Sequence, residues 1–221
     1  MKPLELVLLD LDGTLVDTAP ELSDALNDTL ARFGLPAVDP AQVPRWIGHG
    51  TQPLLVHTLA AQARVDAAAV RASDCLPLVQ AEFKRCYALR CGTRSTLYPA
   101  VRRTLAALRA RGVALALVTN KEACFVRPLL AAHGLTALFD RVVCGDTLPT
   151  RKPDPAGARD CLRHFGVNAQ RALFVGDSAV DVATARAAGI AVWAVPYGYN
   201  AGEPIALSAP DRVIDDLSHL L

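Results

Sequence analysis

Five short apolar runs, each breaking off into a polar loop, constrain this chain more than any other feature. Leu4–Leu9, Val113–Val118, Arg141–Cys144 and Ala172–Val175 are continuous stretches rich in Val, Leu or Ile, and Ile190–Val195 makes a fifth. A strand with one wet face alternates apolar and polar residues, whereas an unbroken run marks a strand buried on both faces. Helical stretches precede the later four: Val101–Arg111, Glu122–His133, Pro155–Phe165 and Val180–Ala188. Gly112, Gly134, Gly166 and Gly189 follow these helices, where a left-handed closing residue is cheap only for glycine. Buried strands alternating with helices predict an α/β domain, a doubly wound, Rossmann-like parallel sheet with helices on both faces. Ligands in such sheets bind beyond the carboxyl ends of the strands, so the residues after each run carry the functional information.

One segment breaks the rhythm. Between about Asp17 and Gly92 no buried-strand run occurs. Thr18-Ala19-Pro20-Glu21 reads as a capping box with Pro in the first turn, and Leu22, Leu26, Leu30 and Phe33 trace a helix face that Gly34 and Pro36 end. Helical pattern returns over Thr51–Gln62 and from about Asp66 to Arg90, interrupted or kinked near Pro77. An all-helical block entered directly after the first strand predicts an inserted lid. Residues 18–92 are expected to form this cap and 1–17 with 93–221 the catalytic core, with hinges near Asp17–Pro20 and Gly92–Pro99.

The strand ends hold a coherent set of groups. After the first run come Asp10-Leu11-Asp12-Gly13-Thr14, whose two carboxylates project to the same side of an extended segment. Carboxylates crowded at a sheet edge suit a hard cation with oxygen ligands, although Asp and Gly also build ordinary turns. Thr119-Asn120-Lys121 follows the second run as a hydroxyl, an amide and an ammonium at a helix start, which is either a phosphate seat or a plain N-cap. Lys152, fixed between Arg151 and Pro153, is a counter-charge for phosphate or carboxylate, or a solvated surface lysine. After the fourth run, Asp177 is placed to ligate a cation, while Asp181, four residues on, is placed to bind its waters or brace Lys152. Ser178 and Asp181 also match a capping box. Together the four loops predict a site satisfied by Mg²⁺ and a phosphate dianion.

Composition and missing motifs narrow the chemistry. The 221 residues carry 23 Lys+Arg against 22 Asp+Glu, which lacks the basic surplus of a nucleic-acid binder. No run of 18 apolar residues occurs, and the opening Met1-Lys2-Pro3 leads into too short a stretch for a signal peptide; the cytoplasm is the expected location. The six cysteines form no CxxC pair, and Cys144 reads as a small buried hydrophobe. Neither a GxxxxGK loop nor a GxGxxG loop is present, which removes the corresponding nucleotide and dinucleotide readings. A carboxylate nucleophile remains. Asp10 would attack phosphorus to give an aspartyl-phosphate, and Asp12 would protonate the leaving alkoxide and then deprotonate water.

Asp10-Leu-Asp-Gly-Thr-Leu-Val-Asp17, Val118-Thr-Asn-Lys121, Arg151-Lys-Pro-Asp-Pro155 and Val175-Gly-Asp-Ser-Ala-Val-Asp181 resemble the four motifs of the haloacid dehalogenase superfamily. The helical insert resembles its helical-cap subclass. Trp46-Ile-Gly-His-Gly50, Leu54-Leu55, Leu97-Tyr-Pro99 and Tyr197-Gly-Tyr-Asn-Ala-Gly-Glu-Pro204 are most similar to the bacterial phosphoglycolate phosphatase family. The resemblance implies Mg²⁺-dependent hydrolysis of 2-phosphoglycolate, a small phosphorylated organic acid. It implies Asp10 as nucleophile and metal ligand, Asp12 as acid/base and backbone-carbonyl ligand, and Asp177 as the third protein ligand. Thr119, Asn120 and Lys152 would hold the phosphate. Ala156-Gly157 after Pro155 departs from relatives that often carry another Pro there. Asp12 argues against the dehalogenase branch. A hexose-phosphate mutase and other small-monoester phosphatases share the core motifs, and a non-enzymatic phospho-accepting receiver is the alternative from another class. In the cap, Arg45 is a candidate reader of the glycolate carboxylate through a forked pair, with His49 in the neighbouring loop. The Tyr197–Pro204 aromatics are read as packing or loop-shaping groups.

Overall fold

A computed structural model describes residues 3–221; Met1 and Lys2, which open the expected core segment and the stretch read against a signal peptide, lie outside the described residues. In chain order the strands are β1 (Leu6–Leu9), β2 (Val16–Asp17), β3 (Thr96–Leu97), β4 (Ala114–Val118), β5 (Arg141–Val143), β6 (Ala172–Gly176), β7 (Ala191–Ala194) and β8 (Arg212–Val213). The helices are α1 (Ala19–Arg32), α2 (Thr51–Ala63), α3 (Ala67–Arg71), α4 (Leu76–Arg90), α5 (Val101–Ala110), α6 (Ala123–Ala132), α7 (Ala156–Phe165) and α8 (Ala179–Ala188). All five expected strands form, each within a residue or two of its apolar run.

The main sheet is parallel, in the order β5-β4-β1-β6-β7-β8. Leu9 is level with Leu117 on one side and Val175 on the other. The register therefore delivers Asp10, the Thr119 loop and Asp177 to neighbouring points on one edge. The winding reverses at β1, the position where such a sheet leaves a crevice. Val7, Leu9, Leu115, Leu117, Leu173 and Val175 pack into one apolar cluster, while Leu6, Leu8, Ala116, Val118 and Phe174 pack into another. Successive residues of one strand thus enter opposite faces, which is why their runs show no polar alternation.

Helices α1–α4 make their own core from Leu22, Leu26, Leu30, Leu54, Val79 and Phe83 among others, and Phe125 and Tyr199 join it from the sheet side. The two chain crossings between sheet and helices pair with each other as an antiparallel ribbon, Val16 opposite Leu97 and Asp17 opposite Thr96. Runs of two residues carry too little pattern to be recognised in sequence, and β8 was missed for the same reason. Pro77 does not kink a long helix. The chain breaks over 72–75, and Pro77 stands in the first turn of α4, where its missing N–H costs nothing.

The capping box expected at the start of α1 does not form. Thr18 makes no side-chain cap bond, because its hydroxyl donates to Asp12 Oδ1 at 2.6 Å. Glu21, fully buried, instead accepts from the Gly92 and Ser95 backbone N–H groups and the Tyr87 hydroxyl. The first N–H groups of the helix still need an acceptor. They find it 181 residues away, where the Tyr199 hydroxyl oxygen accepts from Thr18 N–H and Ala19 N–H, both at 2.9 Å.

Candidate active site

Asp10 extends the sheet ladder, donating its N–H to the Val175 carbonyl at 3.0 Å, so the backbone places its carboxylate at the end of β1. The carboxylate is buried, and the Lys152 ammonium stands 2.9 Å from its Oδ1. That contact is an ion pair without hydrogen-bond alignment, leaving Oδ1 with no aligned donor among the described residues. Lys152 Nζ also donates to Asp181 Oδ1 at 2.7 Å. The lysine is a buried bridge between two carboxylates, and the solvated surface alternative falls away.

Asp177 follows β6 and is equally enclosed. Its Oδ1 accepts from the Thr14 hydroxyl at 2.5 Å and its Oδ2 from the Tyr199 N–H at 2.6 Å. Gly13, at φ 85°, lets the first loop close over it; a Cβ there would come within 2.2 Å of Asp177 Oδ2. Asp181 Oδ2 accepts from the N–H groups of Asp177 and Ser178 and from the Ser178 hydroxyl. The capping box expected of Ser178 and Asp181 therefore forms, while the other Asp181 oxygen braces Lys152.

Oxygens of Asp10, Asp177 and Asp181 lie within 4.8 Å of one another. Three carboxylates and one ammonium leave surplus negative charge in a buried volume. The Asp10 pKa is pushed up to about 6, chiefly by burial; Lys152 opposes the shift, and Asp181 and Asp12 reinforce it. Burial, with the Asp181 and Asp10 charges, also holds Asp177 well above the usual carboxylate range. Burial works against the Lys152 ammonium, but the two facing carboxylates outweigh it and raise its pKa. Hard oxygen donors, an unaligned Asp10 oxygen and resistance to ionisation all fit a divalent cation as the missing charge. Asp10 is its most available holder; Asp177 carries one hydrogen bond on each oxygen, whereas Asp181 spends one oxygen on Lys152 and the other on three donors.

Asp12 faces elsewhere. Its carboxylate meets Lys121 Nζ at 2.9 and 3.2 Å and the Thr18 hydroxyl at 2.6 Å. Lys121 in turn lies 4.7 Å from the centre of the Tyr87 ring. Lys121, which the sequence offers as the ammonium of a phosphate seat, pairs with Asp12, and nothing in the α4 pattern separates Tyr87 from a packing aromatic. The Thr119 hydroxyl accepts from Lys121 N–H at 3.3 Å. The Asn120 amide nitrogen donates to both Gly48 O and Lys152 O at 3.0 Å, so the side chain has no donor left for a phosphate. Asp10, Asp12, Thr119, Asn120 and Lys121 line a cavity of about 30 Å³, closed from above by Leu22, Ile47, Gly48, Thr51, Leu54 and Tyr87.

Arg45 and His49 do not line that space. Both are exposed at the seam where the helical block meets the loop after β7, and Arg45 lies over Gly202. The aromatics of that loop shape it: Tyr197 packs on Tyr98 at 4.2 Å and donates to Thr14 O.

Acidic strand ends on a doubly wound parallel sheet, closed over by helices, define an α/β enzyme with a cation-type site under a helical lid. The pattern of the haloacid dehalogenase-like hydrolases matches residues 7–195, and the chain belongs to that family. It is 42% identical over 217 residues to phosphoglycolate phosphatase 1 of Pseudomonas aeruginosa, covering 98% of this chain and 78% of the relative. The phosphoglycolate phosphatase of Nitrosococcus oceani is 39% identical, with 98% and 95% covered. The crystal structure of a predicted phosphoglycolate phosphatase from Haemophilus somnus superposes with a TM-score of 0.91 at 37% identity, covering 100% of this chain and 97% of that one.

Proposed function

We propose that this enzyme hydrolyses 2-phosphoglycolate to glycolate and phosphate with Mg²⁺, through an aspartyl-phosphate on Asp10. The convergence of Asp10, Asp177 and Lys152 under a helical lid carries the reading. The relatives named phosphoglycolate phosphatase support the substrate, since they match across the lid as well as the sheet. The small space under the lid suits a short phosphate monoester.

Asp10, Asp177 and the Asp12 backbone carbonyl would hold the ion. Bound Mg²⁺ supplies positive charge that reduces repulsion between Asp10 and a phosphate dianion. Lys152 neutralises phosphoryl oxygens, and the Thr119 hydroxyl and the Asn120 backbone N–H orient them. An Asp10 oxygen attacks phosphorus in line, forming a P–O bond as the bond to the glycolate oxygen breaks, and Asp12 donates a proton to that leaving oxygen. In the second half Asp12 takes a proton from water, the water oxygen bonds to phosphorus, and Asp10 leaves as a carboxylate. Lys121 and Thr18 aim Asp12 for both transfers. Asp181 and Ser178 hold Lys152 and the Asp177 turn in place. The lid excludes bulk water from a reaction that needs one of the largest known accelerations.

Part of this reading is a cytoplasmic setting, supported by six free cysteines. Among the described residues no helix is long and apolar enough to cross a membrane. The deciding experiment is phosphate release from a panel of small monoesters with Mg²⁺. 2-Phosphoglycolate should give the highest kcat/KM, and Asp10→Asn should abolish turnover. Interconversion of hexose phosphates without net phosphate release would point to a mutase, and a long-lived aspartyl-phosphate to a receiver.

A further inference from the structure

Residues 48–51 of the lid rest on the loop 119–122 of the core. Gly48 O accepts from Asn120 Nδ2 at 3.0 Å, and the Thr51 hydroxyl donates to Glu122 Oε2 at 2.7 Å. Gly50, at φ 88°, lets the two backbones close up, for a Cβ there would stand 2.9 Å from Arg151 Nη1 and 3.2 Å from Asn120 O. The Asn120 amide nitrogen has two hydrogens, and the second goes to Lys152 O at 3.0 Å. One planar group thus joins a carbonyl of the lid to the carbonyl of the lysine that bridges Asp10 and Asp181. Two carbonyl acceptors fix which way the amide faces, and its Oδ1 is buried without a hydrogen-bond partner among the described residues.

We propose that Asn120 is a positioning residue that couples lid closure to the placement of Lys152. With the lid down, both amide hydrogens are satisfied and the 151–153 segment is pinned. When Gly48 withdraws, the buried amide loses one acceptor and gains from turning towards water, which also releases the Lys152 carbonyl. The ammonium is then held correctly against Asp10 only while the site is closed over substrate. A phosphate-ligand role for the side chain does not fit, since it would present an acceptor oxygen to an anion.

The proposal rests on the phosphatase reading for its kinetic arm, while its exchange arm stands apart from turnover. Hydrogen exchange is followed in full-length wild type, Asn120→Ala and Thr51→Val, each with Mg²⁺ and inorganic phosphate. Asn120→Ala should speed exchange about tenfold or more both at 47–52 and at Lys152 and Asp154, whereas Thr51→Val should loosen only the lid loop. In turnover, Asn120→Ala should lower kcat about 10–100-fold and change the inhibition constant for inorganic phosphate less than about threefold. Should Asn120→Ala fail to fold, Asn120→Ser is carried through the same measurements. Faster exchange in only one of the two segments overturns the coupling. Phosphate inhibition weakening in step with kcat/KM overturns it too, because the side chain would then be holding phosphate directly. Absent turnover in wild type with paired exchange changes would refute the phosphatase reading and leave the coupling standing.

Discussion

The floor and the roof of the site are built on different physical terms. The floor consists of Asp10 and Asp177 after β1 and β6, Lys152 in the loop before α7 and Asp181 in the first turn of α8, locked by ion pairs and hydrogen bonds of 2.5–3.2 Å. The roof is a helical block with its own core. It meets the core beside that floor through the Asn120–Gly48 and Thr51–Glu122 bonds, through Tyr87 packed on Phe125 and Lys121, and through the Tyr199 hydroxyl at the start of α1. The floor gives up charge stability for geometry, crowding carboxylates that resist ionisation. The roof holds no such tension and is joined by bonds that are individually weak. The difference separates a charge-crowded chemical centre from a cover held by packing and scattered hydrogen bonds.

The largest expected effect is at the floor's nucleophile. Asp10→Asn should fold and lose turnover by about 10⁴-fold or more, while raising Tm in chelator by a few degrees because a strained buried charge has gone. Wild-type turnover in that variant would remove the chemistry assigned to the floor. Asp12→Asn should cost about 10²–10⁴-fold with 2-phosphoglycolate, and much less with 4-nitrophenyl phosphate, whose leaving group needs no proton. An equal loss on both substrates would refute the acid role.

The third prediction separates the regions by pH. Asp10 titrates at 3.8 in an ordinary setting and near 6 here. Between those values the folded chain keeps a proton that the unfolded chain has released, so folding stability in chelator falls as pH rises from about 4 to about 6. Thermal melts should show that slope flattened by saturating Mg²⁺ and reduced in Asp10→Asn. A slope of opposite sign would mean that the floor is not charge-strained. The smallest effect belongs to the roof's exposed edge: Arg45→Ala should change kcat/KM less than about threefold. A tenfold loss of selectivity for carboxylate-bearing esters would move substrate reading to that seam and break the contrast.

The floor was more legible in the sequence than the roof. Asp10, Asp12 and Asp177 stand within three residues of the ends of apolar runs, and parallel pairing brings such ends together whatever the intervening loops do. Lys152 was legible only as a possibility, because its burial depends on Asp10 and Asp181 together. Thr18 and Glu21 fit a capping pattern perfectly well locally, yet stronger partners took both: Asp12 for one, the Gly92–Ser95 backbone for the other. Arg45 and His49 lay in the right loop and on its outer side, since strand periodicity has no counterpart that aims a loop side chain.

Taken alone, the order of residues determined the sheet, its buried strands, the helical insertion and the edge where the acidic groups gather. These follow from periodicity and from which residue succeeds each run, both local properties. Only the folded chain decided that Lys121 holds Asp12, that Tyr199 receives the first N–H groups of α1, and that the Asn120 amide is shared between lid and lysine. Such partnerships join atoms far apart in the chain, and competition for each donor is settled by burial and distance, which no local pattern encodes.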